Sequence, residues 1–555
     1  MKWCNRKYLS GGLAAVMCCM VALEVNAASP RGGGSGHDRG KDSVHHPARK
    51  QPAASDQSFT RMFSGLLPFA PATGEARAEA EKLGKIAELM DADDQLNDPV
   101  ASIVAPDLNP DGTEKNPNNP KMTAGVTFFG QFLDHDITLD LKSPLHEPAD
   151  PKKTTNFRTA AFDLDSLYGS GPRESPELYD LSSGDVKFKV EEIPGSVDVS
   201  RKGAVRLDLP RDANNNAIIG DSRNDEHVII AQFHLAMLQF HNAVIDHLRE
   251  TKAYRKQTPR KVFQEAQRLV RWHYQWIIVH EFLPLTIGQK RVDDLLRKGL
   301  RFYRIDGQSS SQRRSSNGNP LIPIEFSVAA YRFGHSQVRP SYRVNFGPDG
   351  GSEPFFAFVF DDTEAPNDPD PDDLRGGKRA PRRFVDWQTF FDFGDENSRP
   401  NKKIDTKISS VLMQLPGVSG PAPGLPSDGV QSLPSRNLMR HVNFGLPSGQ
   451  EVARMMRVPV LDETELAELE PYGMKMSTPL WYYILKEAEV MENGLRLGPV
   501  GSGIVGEVFI GLLKADQFSY LAKNRRWKPV LPSTRRGEYR MTDMLRFAGV
   551  VPPLD

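Results

Sequence analysis

GVTFFGQFLDHDITLDL, residues 125–141, is an apolar stretch with polar and titratable side chains set into its middle. Burying a charged group without a partner costs on the order of several kcal/mol, so Asp134, His135 and Asp136 need partners. If the stretch is helical, Gln131, Asp134 and His135 share one face. Asp136 then points roughly 100° away from His135. The stretch therefore indicates two adjacent sites rather than one.

The start of the chain has the pattern of a secretory signal peptide. Lys2, Arg6 and Lys7 form a basic beginning, an apolar run follows, and Val25–Ala27 is a small-residue cleavage pattern. The apolar run is shorter than the ~20 residues that a membrane anchor needs. We therefore expect residues 1–27 to be a signal peptide and the mature protein to be secreted, to either the periplasm or the medium.

The cysteine content and the charge exclude several classes of function. Cys4, Cys18 and Cys19 are the three cysteines and all lie in the predicted signal peptide, so the mature chain has no thiol. Cysteine nucleophiles, thiolate-bound zinc and iron–sulfur clusters are excluded. A net charge of −1 favours neither nucleic acid nor an anionic membrane as a partner. The most apolar later run, 499–513, contains Glu507, so we expect no membrane span after cleavage.

Beyond a Gly-, Ser- and Pro-rich linker at residues 28–57, helical patterns dominate the chain. Residues 223–250 and 260–283 carry apolar side chains at three- and four-residue spacing. Short strands are expected near 186–192 and 341–346. Length alone favours two or three domains. The expected fold class is mainly α with long loops, at residues 106–120, 305–320, 347–382 and 415–435.

A second candidate site lies in FRTAAFDLDSLYG, residues 157–169. Thr159, Asp163 and Asp165 alternate there with apolar residues. Oxygen ligands in a short loop suit a hard cation such as Ca²⁺, and a solvated acidic turn is the alternative.

A third candidate lies in GDSRNDEHVII, residues 220–230. Ser222 with Asp225 fits a capping box at the start of the long helix, with Arg223, Glu226 and His227 together in its first turn. An ordinary helix start with an ion pair is the alternative.

Two further histidine patterns have structural explanations when taken alone. His335, in VAAYRFGHSQVRP (328–340), fits a buried core histidine. His227, His234 and His241 are spaced seven apart, which separates their rings by about 10 Å on a helix, too far to share a metal.

Taken together, these segments resemble the animal haem peroxidase family, within the peroxidase–cyclooxygenase superfamily, in a bacterial-type secreted form. The resemblance covers the chain from about Phe59 to its C-terminus and implies one large, mainly α-helical domain at residues 58–555 in place of two or three. It rests on six segments in consistent order: GQFLDHD, RTAAFDLDSLYG, SRNDE, AYRFGH, NLMRHVNFGLP and PLWYYILKEAEV with the GLRLGPVG and EVFIGLLKAD that follow.

The resemblance implies that Gln131 and His135 lie on the distal side of haem b. His135 would move a proton between the two peroxide oxygens, and Arg223 would supply fixed positive charge. The expected activity is a peroxidase that reduces hydrogen peroxide through a ferryl haem intermediate. Its donor would be a halide, thiocyanate or a small aromatic compound.

The proximal side follows from the same resemblance. His335 matches the iron ligand, and Asn437 matches the partner that accepts its other imidazole N–H. Arg332 and Arg440 are expected to pair with the haem propionates.

Two carboxylates match positions that form ester bonds to haem in animal members, namely Asp134 and Glu226. The chlorinating member has a methionine after this glutamate, whereas this chain has His227. The resemblance therefore does not extend to efficient chloride oxidation.

A calcium site is implied beside the distal histidine. Its expected ligands are Asp136, Thr159, the backbone of Ala161, Asp163 and Asp165, with Asp165 in place of a serine found in some relatives.

Two other functions are compatible with parts of the pattern. A cyclooxygenase-like fatty-acid dioxygenase needs a tyrosine three residues before the proximal histidine, but that position is Arg332 and Tyr331 lies one residue further away. A non-catalytic haem- or calcium-binding adhesion module would be expected to have lost at least one residue of the site. The oligomeric state is not readable from the sequence.

Overall fold

The computed structural model describes most of the chain from Ser58 onward, and these residues belong to one compact unit. The predicted signal peptide and linker lie outside the described residues. The described ranges are 58–70, 76–104, 108–141, 143–182, 184–304, 320–349, 353–361, 363, 368–416 and 430–551.

The described residues form a predominantly α-helical domain, which confirms the expected fold class. The α-helices are α1 (Ala76–Leu89), α2 (Ala101–Val104), α3 (Gly125–Ile137), α4 (Asp165–Tyr168), α5 (Ser196–Val199), α6 (Val228–Glu250), α7 (Pro259–Ile277), α8 (Leu283–Ile287), α9 (Gln289–Lys298), α10 (Leu433–Asn443), α11 (Gly449–Met456), α12 (Leu480–Glu492), α13 (Pro499–Ala515), α14 (Tyr520–Lys523) and α15 (Met541–Phe547).

Short antiparallel strand pairs connect the helices. The strands are β1 (Asn118–Thr123), β2 (Tyr179–Asp180), β3 (Lys187–Phe188), β4 (Glu191–Glu192), β5 (Leu207–Asp208), β6 (Ser341–Arg343), β7 (Phe356–Phe358) and β8 (Pro400–Lys402). They pair as β1–β8, β2–β3, β4–β5 and β6–β7. The register of β1–β8 shifts between Asn119 and Thr123. Strands near 186–192 and 341–346 were expected from sequence and are confirmed.

Helix α6 runs through the core and packs against α3 and α7. Its Phe233 lies with ring centroids 5.8 Å from Phe129 and 5.1 Å from Phe132 of α3. By length and composition α6 is long and apolar enough to cross a membrane, contrary to the expectation from sequence, but 83% of its most apolar stretch is buried in the fold. Helix α6 is therefore a core helix, and its packing contacts position α3.

The start of α3 is fixed by the chain around β8. The backbone N–H of Gly125 donates to the carbonyl of Phe390 at 2.9 Å, and Thr127 Oγ1 donates to Asn401 Oδ1 at 2.9 Å. A Cβ on Gly125 would lie 2.5 Å from the ring of Phe391, so only glycine fits this close approach. These contacts set the rotation of α3 and hence the direction of its polar side chains.

The segment that carries His335 is helical but irregular. A π-helical turn at Glu325–Ala329 is followed by 3-10 turns at Ala330–Gln337. Ala329 at the junction has φ −124° and ψ −75°, outside the helical region. Angular spacing along this segment therefore departs from that of an α-helix.

The first described residues form an arm that is attached to this segment. Thr60 exchanges backbone hydrogen bonds with Ile322 and Ile324, each at 2.9 Å. The buried carboxylate of Glu325 accepts from the backbone N–H groups of Met62 and Phe63 at 2.9 and 3.1 Å. A carboxylate that accepts several backbone N–H groups holds the arm in one register.

The predicted capping box at the start of α6 is wrong. Ser222–Asp225 forms a separate 3-10 turn capped by Asp221, and α6 begins at Val228 with His227 as its N-cap. Asp225 is unavailable because its carboxylate accepts two hydrogen bonds from Arg211, at 2.7 and 2.9 Å.

Candidate functional site

A cavity of about 1270 Å³ lies between α3, the turn before α6, the irregular 325–337 segment and α10. Every haem-site residue expected from the sequence lines it. These residues are Gln131, Asp134, His135, Arg223, Glu226, Arg332, His335, Asn437 and Arg440. The sequence motifs, which are up to 309 residues apart, therefore meet at one place.

His135 is held in one neutral tautomer. Its Nδ1 lies 2.8 Å from Asn224 Oδ1, while Asn224 Nδ2 lies 3.0 Å from Nδ1 of His234. Because Asn224 uses its amide N–H towards His234, its oxygen is the acceptor for the N–H of His135. Burial, helped by the charge of Arg223, lowers the pKa of His135 to about 3. Nε2 of His135 therefore carries a lone pair.

Gln131 is oriented by the histidine that precedes α6. Nδ1 of His227 accepts from the backbone N–H of Ile230 at 3.2 Å, so its Nε2 carries the hydrogen. That Nε2 donates to Gln131 Oε1 at 2.9 Å, and Gln131 Nε2 donates to Glu226 Oε2 at 3.2 Å. These two contacts fix the orientation of the Gln131 amide, with its nitrogen towards Glu226 and its oxygen towards His227.

Glu226 stands beside His135, with its Oε1 3.9 Å from Nε2 of the imidazole. Burial raises the pKa of Glu226 to about 7, although Arg223 acts in the opposite direction. With His135 neutral, the two groups do not form an ion pair near neutral pH. A Cβ on Gly376 would lie 1.5 Å from the carbonyl oxygen of Asp225, so this glycine is required for the turn that presents Glu226.

Arg223 is fixed by the backbone of α3 and by its own turn. Its Nη2 donates to the carbonyls of His135 at 3.1 Å and Thr138 at 2.6 Å, and its Nε donates to Asp221. Asp221 also pairs with Nη2 at 2.8 Å. Within the described part of the chain no acceptor faces Nη1, which leaves that donor for a ligand.

Across the cavity, Nδ1 of His335 lies 2.8 Å from the side-chain amide nitrogen of Asn437. The two residues predicted as partners therefore meet, but the amide nitrogen and not the expected oxygen faces the ring. Burial lowers the pKa of His335 to about 3, and the charge of Arg332 adds to this effect. His335 is thus a neutral imidazole at the cavity wall.

Three arginines gather at one side of the cavity, and the sequence predicted two of them. Arg440 Nη1 donates to Asp140 Oδ2 at 3.1 Å and to Ser143, while Arg332 Nε donates to a backbone carbonyl. Burial lowers the pKa of Arg440, and the charges of Arg332 and Arg436 lower it further. Arg436 was missed, although it lies four residues before Arg440 and so on the same face of α10.

The second cluster lies behind α3. Carboxylate oxygens of Asp136, Asp163 and Asp165 all lie within 4.8 Å of one another. Asp136 is fully buried, and its Oδ1 has no hydrogen-bond partner among the described residues. Its Oδ2 accepts from Tyr274 at 3.1 Å. Such an arrangement of buried carboxylates is unfavourable unless protons or a cation neutralise it.

The loop that supplies two of these carboxylates is internally bonded. Thr159 Oγ1 donates to Asp163 at 2.8 Å, and the carbonyl of Ala161 accepts from the backbone N–H of Asp163 at 2.9 Å. Burial raises the pKa of Asp136 well above its usual value, with Asp163 and Asp165 adding to the effect. Burial followed by Asp163 raises the pKa of Asp165 to about 7. All five predicted ligand residues are therefore together, close behind His135.

Tyr331 also lines the cavity, contrary to the direction expected from sequence, because the 325–337 segment is not a regular helix. Its hydroxyl donates to the carbonyl of Gly130 on α3 at 3.0 Å.

Comparisons with known proteins point to one family. Residues 140–353 match the family model described as animal haem peroxidase. Chorion peroxidase of Drosophila melanogaster is 27% identical over 310 residues, which cover 56% of this chain and 34% of that protein. Peroxinectin A of Dictyostelium discoideum is 22% identical over 457 residues, which cover 73% of this chain and 76% of that protein.

The chain spans only 34–40% of the length of the first three curated relatives that it matches. Among solved structures, peroxidase A from Dictyostelium discoideum matches with a TM-score of 0.50 at 17% identity, covering 86% of this chain and 92% of that chain. This likeness shows a shared fold.

Proposed function

We propose that this chain, whose residues 140–353 match the animal haem peroxidase family model, is a haem-dependent peroxidase that reduces hydrogen peroxide and oxidises a small donor. The observation that carries the proposal is the cavity with His135, Gln131 and Arg223 on one wall and His335 on another. An acid–base group and a fixed cation thus line the same cavity as a group able to bind iron.

The cavity fits haem in size and in chemistry. Its volume of about 1270 Å³ exceeds the usual range for sites of drug-sized ligands, roughly 300–1,000 Å³. His335 would bind the iron through Nε2, which requires its hydrogen on Nδ1. Rotation of the Asn437 amide by 180° would then present its oxygen to that N–H. The mutual repulsion of Arg332, Arg436 and Arg440 would be relieved by the haem propionates.

When bound, haem supplies electrons for cleavage of the O–O bond and passes oxidising equivalents to the donor. His135 would accept a proton from one peroxide oxygen at Nε2 and deliver it to the other, which leaves as water. The hydrogen bond to Asn224 keeps Nε2 unprotonated before peroxide arrives. Arg223 would stabilise the negative charge that develops as the bond breaks, and Gln131 would donate a hydrogen bond.

The donor class is a halide, thiocyanate or a small aromatic compound. His227 stands where a thioether would be needed for a sulfonium link to haem, and it is already bonded to Gln131 and Ile230. We therefore propose no chloride-oxidising activity.

Asp134 and Glu226 line the cavity and are the candidates for ester links to haem. Asp134 Oδ1 accepts from Thr138 at 3.0 Å, so one oxygen is bonded within α3. Haem that stays with the chain in acidified organic solvent would support the links, and complete extraction would contradict them.

We also propose that Asp136, Thr159, Ala161, Asp163 and Asp165 bind Ca²⁺. Oxygen-only donors suit this hard cation, and the unpartnered Oδ1 of buried Asp136 supports it. Because Asp136 is the neighbour of His135 on α3, bound calcium would fix the helix that carries the acid–base group.

We also propose that the protein is exported and that its signal peptide is cleaved after residue 27. The mature chain would then consist of a linker at residues 28–57 and one domain at residues 58–555. N-terminal sequencing of the mature protein tests the cleavage position.

The test of the activity is rapid-mixing absorbance spectroscopy of the haem-loaded protein. Hydrogen peroxide should reduce the Soret intensity, and iodide or a phenol should restore it. H135A should retain the resting haem band but react with peroxide more slowly by about 10²-fold or more. A spectrum indifferent to peroxide would favour the adhesion module, and oxygen uptake with a polyunsaturated fatty acid and no peroxide would favour the dioxygenase.

A further inference from the structure

Trp481 lies next to the proximal histidine and is not among the residues that line the cavity. Its ring centroid is 6.4 Å from that of His335, and its Nε1 donates to the carbonyl of Arg332 at 3.1 Å. The side chain is fully buried. Indole is among the most easily oxidised side chains, and a carbonyl oxygen is too weak a base to take its proton. Oxidised Trp481 would therefore remain a strong oxidant for a neighbouring group.

The next residue on α12 is Tyr482. Consecutive helical side chains leave the axis about 100° apart, so Trp481 and Tyr482 face different neighbours while their backbones are joined. Tyr482 donates its phenol hydrogen to Glu468 Oε1 at 3.0 Å. Glu468 pairs with Lys486 at 3.1 Å, and its side chain is 30% exposed. An oxidisable phenol therefore has a proton acceptor at the protein surface.

Two other tyrosines near Trp481 and Tyr482 do not donate their phenol hydrogen to a carboxylate. The hydroxyl of Tyr483 accepts from the backbone N–H of Leu461 at 2.9 Å, and no described residue accepts its hydrogen. The hydroxyl of Tyr331 donates to a backbone carbonyl. Burial raises the pKa of Tyr482, and Glu468 adds to this effect, so the phenol keeps its proton until it is oxidised.

We propose that Trp481, Tyr482 and Glu468 form a path by which oxidising equivalents reach a second donor site at the surface beside Glu468. The site would oxidise phenols attached to macromolecules too large for the cavity. This inference rests on the proposed peroxidase function, which supplies the oxidant.

Each transfer moves one electron. Bound haem would supply the oxidising equivalent after peroxide is reduced: Trp481 would give up one electron and regain one from Tyr482, whose proton would pass to Glu468. A surface phenol then gives an electron to Tyr482, Glu468 returns the proton, and the donor loses its own proton to solvent. Over two transfers, one hydrogen peroxide and two phenols give two waters and two phenoxyl radicals.

The test compares free tyramine with tyramine coupled to a large dextran, using haem-loaded wild type, Y482F and the matched control Y483F. We expect Y482F to lose about tenfold of the rate on coupled tyramine while oxidising free tyramine normally, and Y483F to resemble wild type on both. E468Q should slow coupled tyramine as well, because the proton acceptor is weakened.

A second readout does not depend on turnover. Freeze-quench electron paramagnetic resonance after peroxide, without donor, should show a tyrosyl radical in wild type and Y483F that is absent in Y482F and W481F. Equal signals in Y482F and Y483F, or equal rates on coupled tyramine, would overturn the path and leave the peroxidase intact. Failure of wild type to oxidise even free tyramine would overturn both.

Discussion

His227 Nε2 donates a hydrogen bond of 2.9 Å to Gln131 Oε1, and this contact decides which end of the Gln131 amide faces Glu226. The same imidazole caps α6 through Nδ1. One histidine thus fixes the beginning of the central helix and the orientation of a side chain in the cavity wall.

Replacing His227 with asparagine should separate these two roles. Asparagine caps helices well but is too short to reach Gln131, so the helix cap should be kept while the amide of Gln131 loses its fixed orientation. We expect the second-order rate constant for peroxide to fall about tenfold. Stopped-flow absorbance and thermal unfolding measure the two effects. Equal peroxide rates in H227N and wild type would remove His227 from the positioning role.

Asn224 should matter through the hydrogen bond it accepts from His135. N224L removes the acceptor, so the imidazole can rotate or carry its hydrogen on Nε2, and we expect peroxide reduction to slow by about 10–10²-fold. N242L is the matched control, since the side chain of Asn242 bonds the backbone of Phe188, at 2.8 and 3.0 Å, and no other residue in the described part of the chain. A similar loss of rate in both variants would indicate general destabilisation.

The effect of D136N on the free energy of unfolding should depend on whether calcium is present. With a chelator present, D136N should be at least as stable as wild type, because it relieves repulsion from Asp163 and Asp165. With calcium present, wild type should be the more stable protein, because binding to the folded state adds to its free energy of unfolding. Calorimetric titration and thermal unfolding test this, with D198N as a surface control. D136N less stable by the same amount in both buffers would contradict the site.

The pH dependence of stability should include a contribution from Glu487, which is fully buried and accepts from the backbone N–H groups of Val500 and Gly501. Burial raises its pKa from 4.5 to about 8. The folded state thus keeps a proton that the unfolded chain loses near pH 4.5. The contribution of Glu487 to the free energy of unfolding is therefore fully present below about pH 4.5, and it decreases as the pH rises to about 8.

The glutamine in E487Q does not titrate, so its stability should not fall in this way. The free energy of unfolding of E487Q minus that of wild type should therefore be larger at pH 8.5 than at pH 5, by an amount on the order of a few kcal/mol. Unfolding temperatures at both pH values give the comparison. E451Q is the control, because Glu451 pairs with Arg454 and its side chain is half exposed. A constant difference between E487Q and wild type would show that Glu487 does not titrate in this range.

Much of the site was predictable because its chemistry is carried by local motifs. Gln131, Asp134 and His135 share one helical face, and Asp136 on the other side meets the acidic loop, as the 3.6-residue period requires. The mainly α fold followed from apolar spacing in the same way.

The remaining features depend on contacts between distant parts of the chain. Asn224 meets His135 across 89 residues, and Arg211 removes Asp225 from the predicted capping box. Tyr331 reaches the cavity because π and 3-10 turns replace the regular spacing assumed for it. The spacing of residues within a short segment predicts neither contacts between distant segments nor the position of π and 3-10 turns.

The arm at residues 58–63 also sets a limit on proteolytic trimming. Besides its bonds to Glu325, it is tied through Arg61 Nη1 to the carbonyl of Gly445 at 3.0 Å, just beyond the helix that carries Asn437. A protease that cut after Phe63 would remove Phe59, which lines the cavity. It would also break the hydrogen bonds of the arm to the segments that present His335 and Asn437, so we expect trimming that leaves the cavity intact to stop before Phe59.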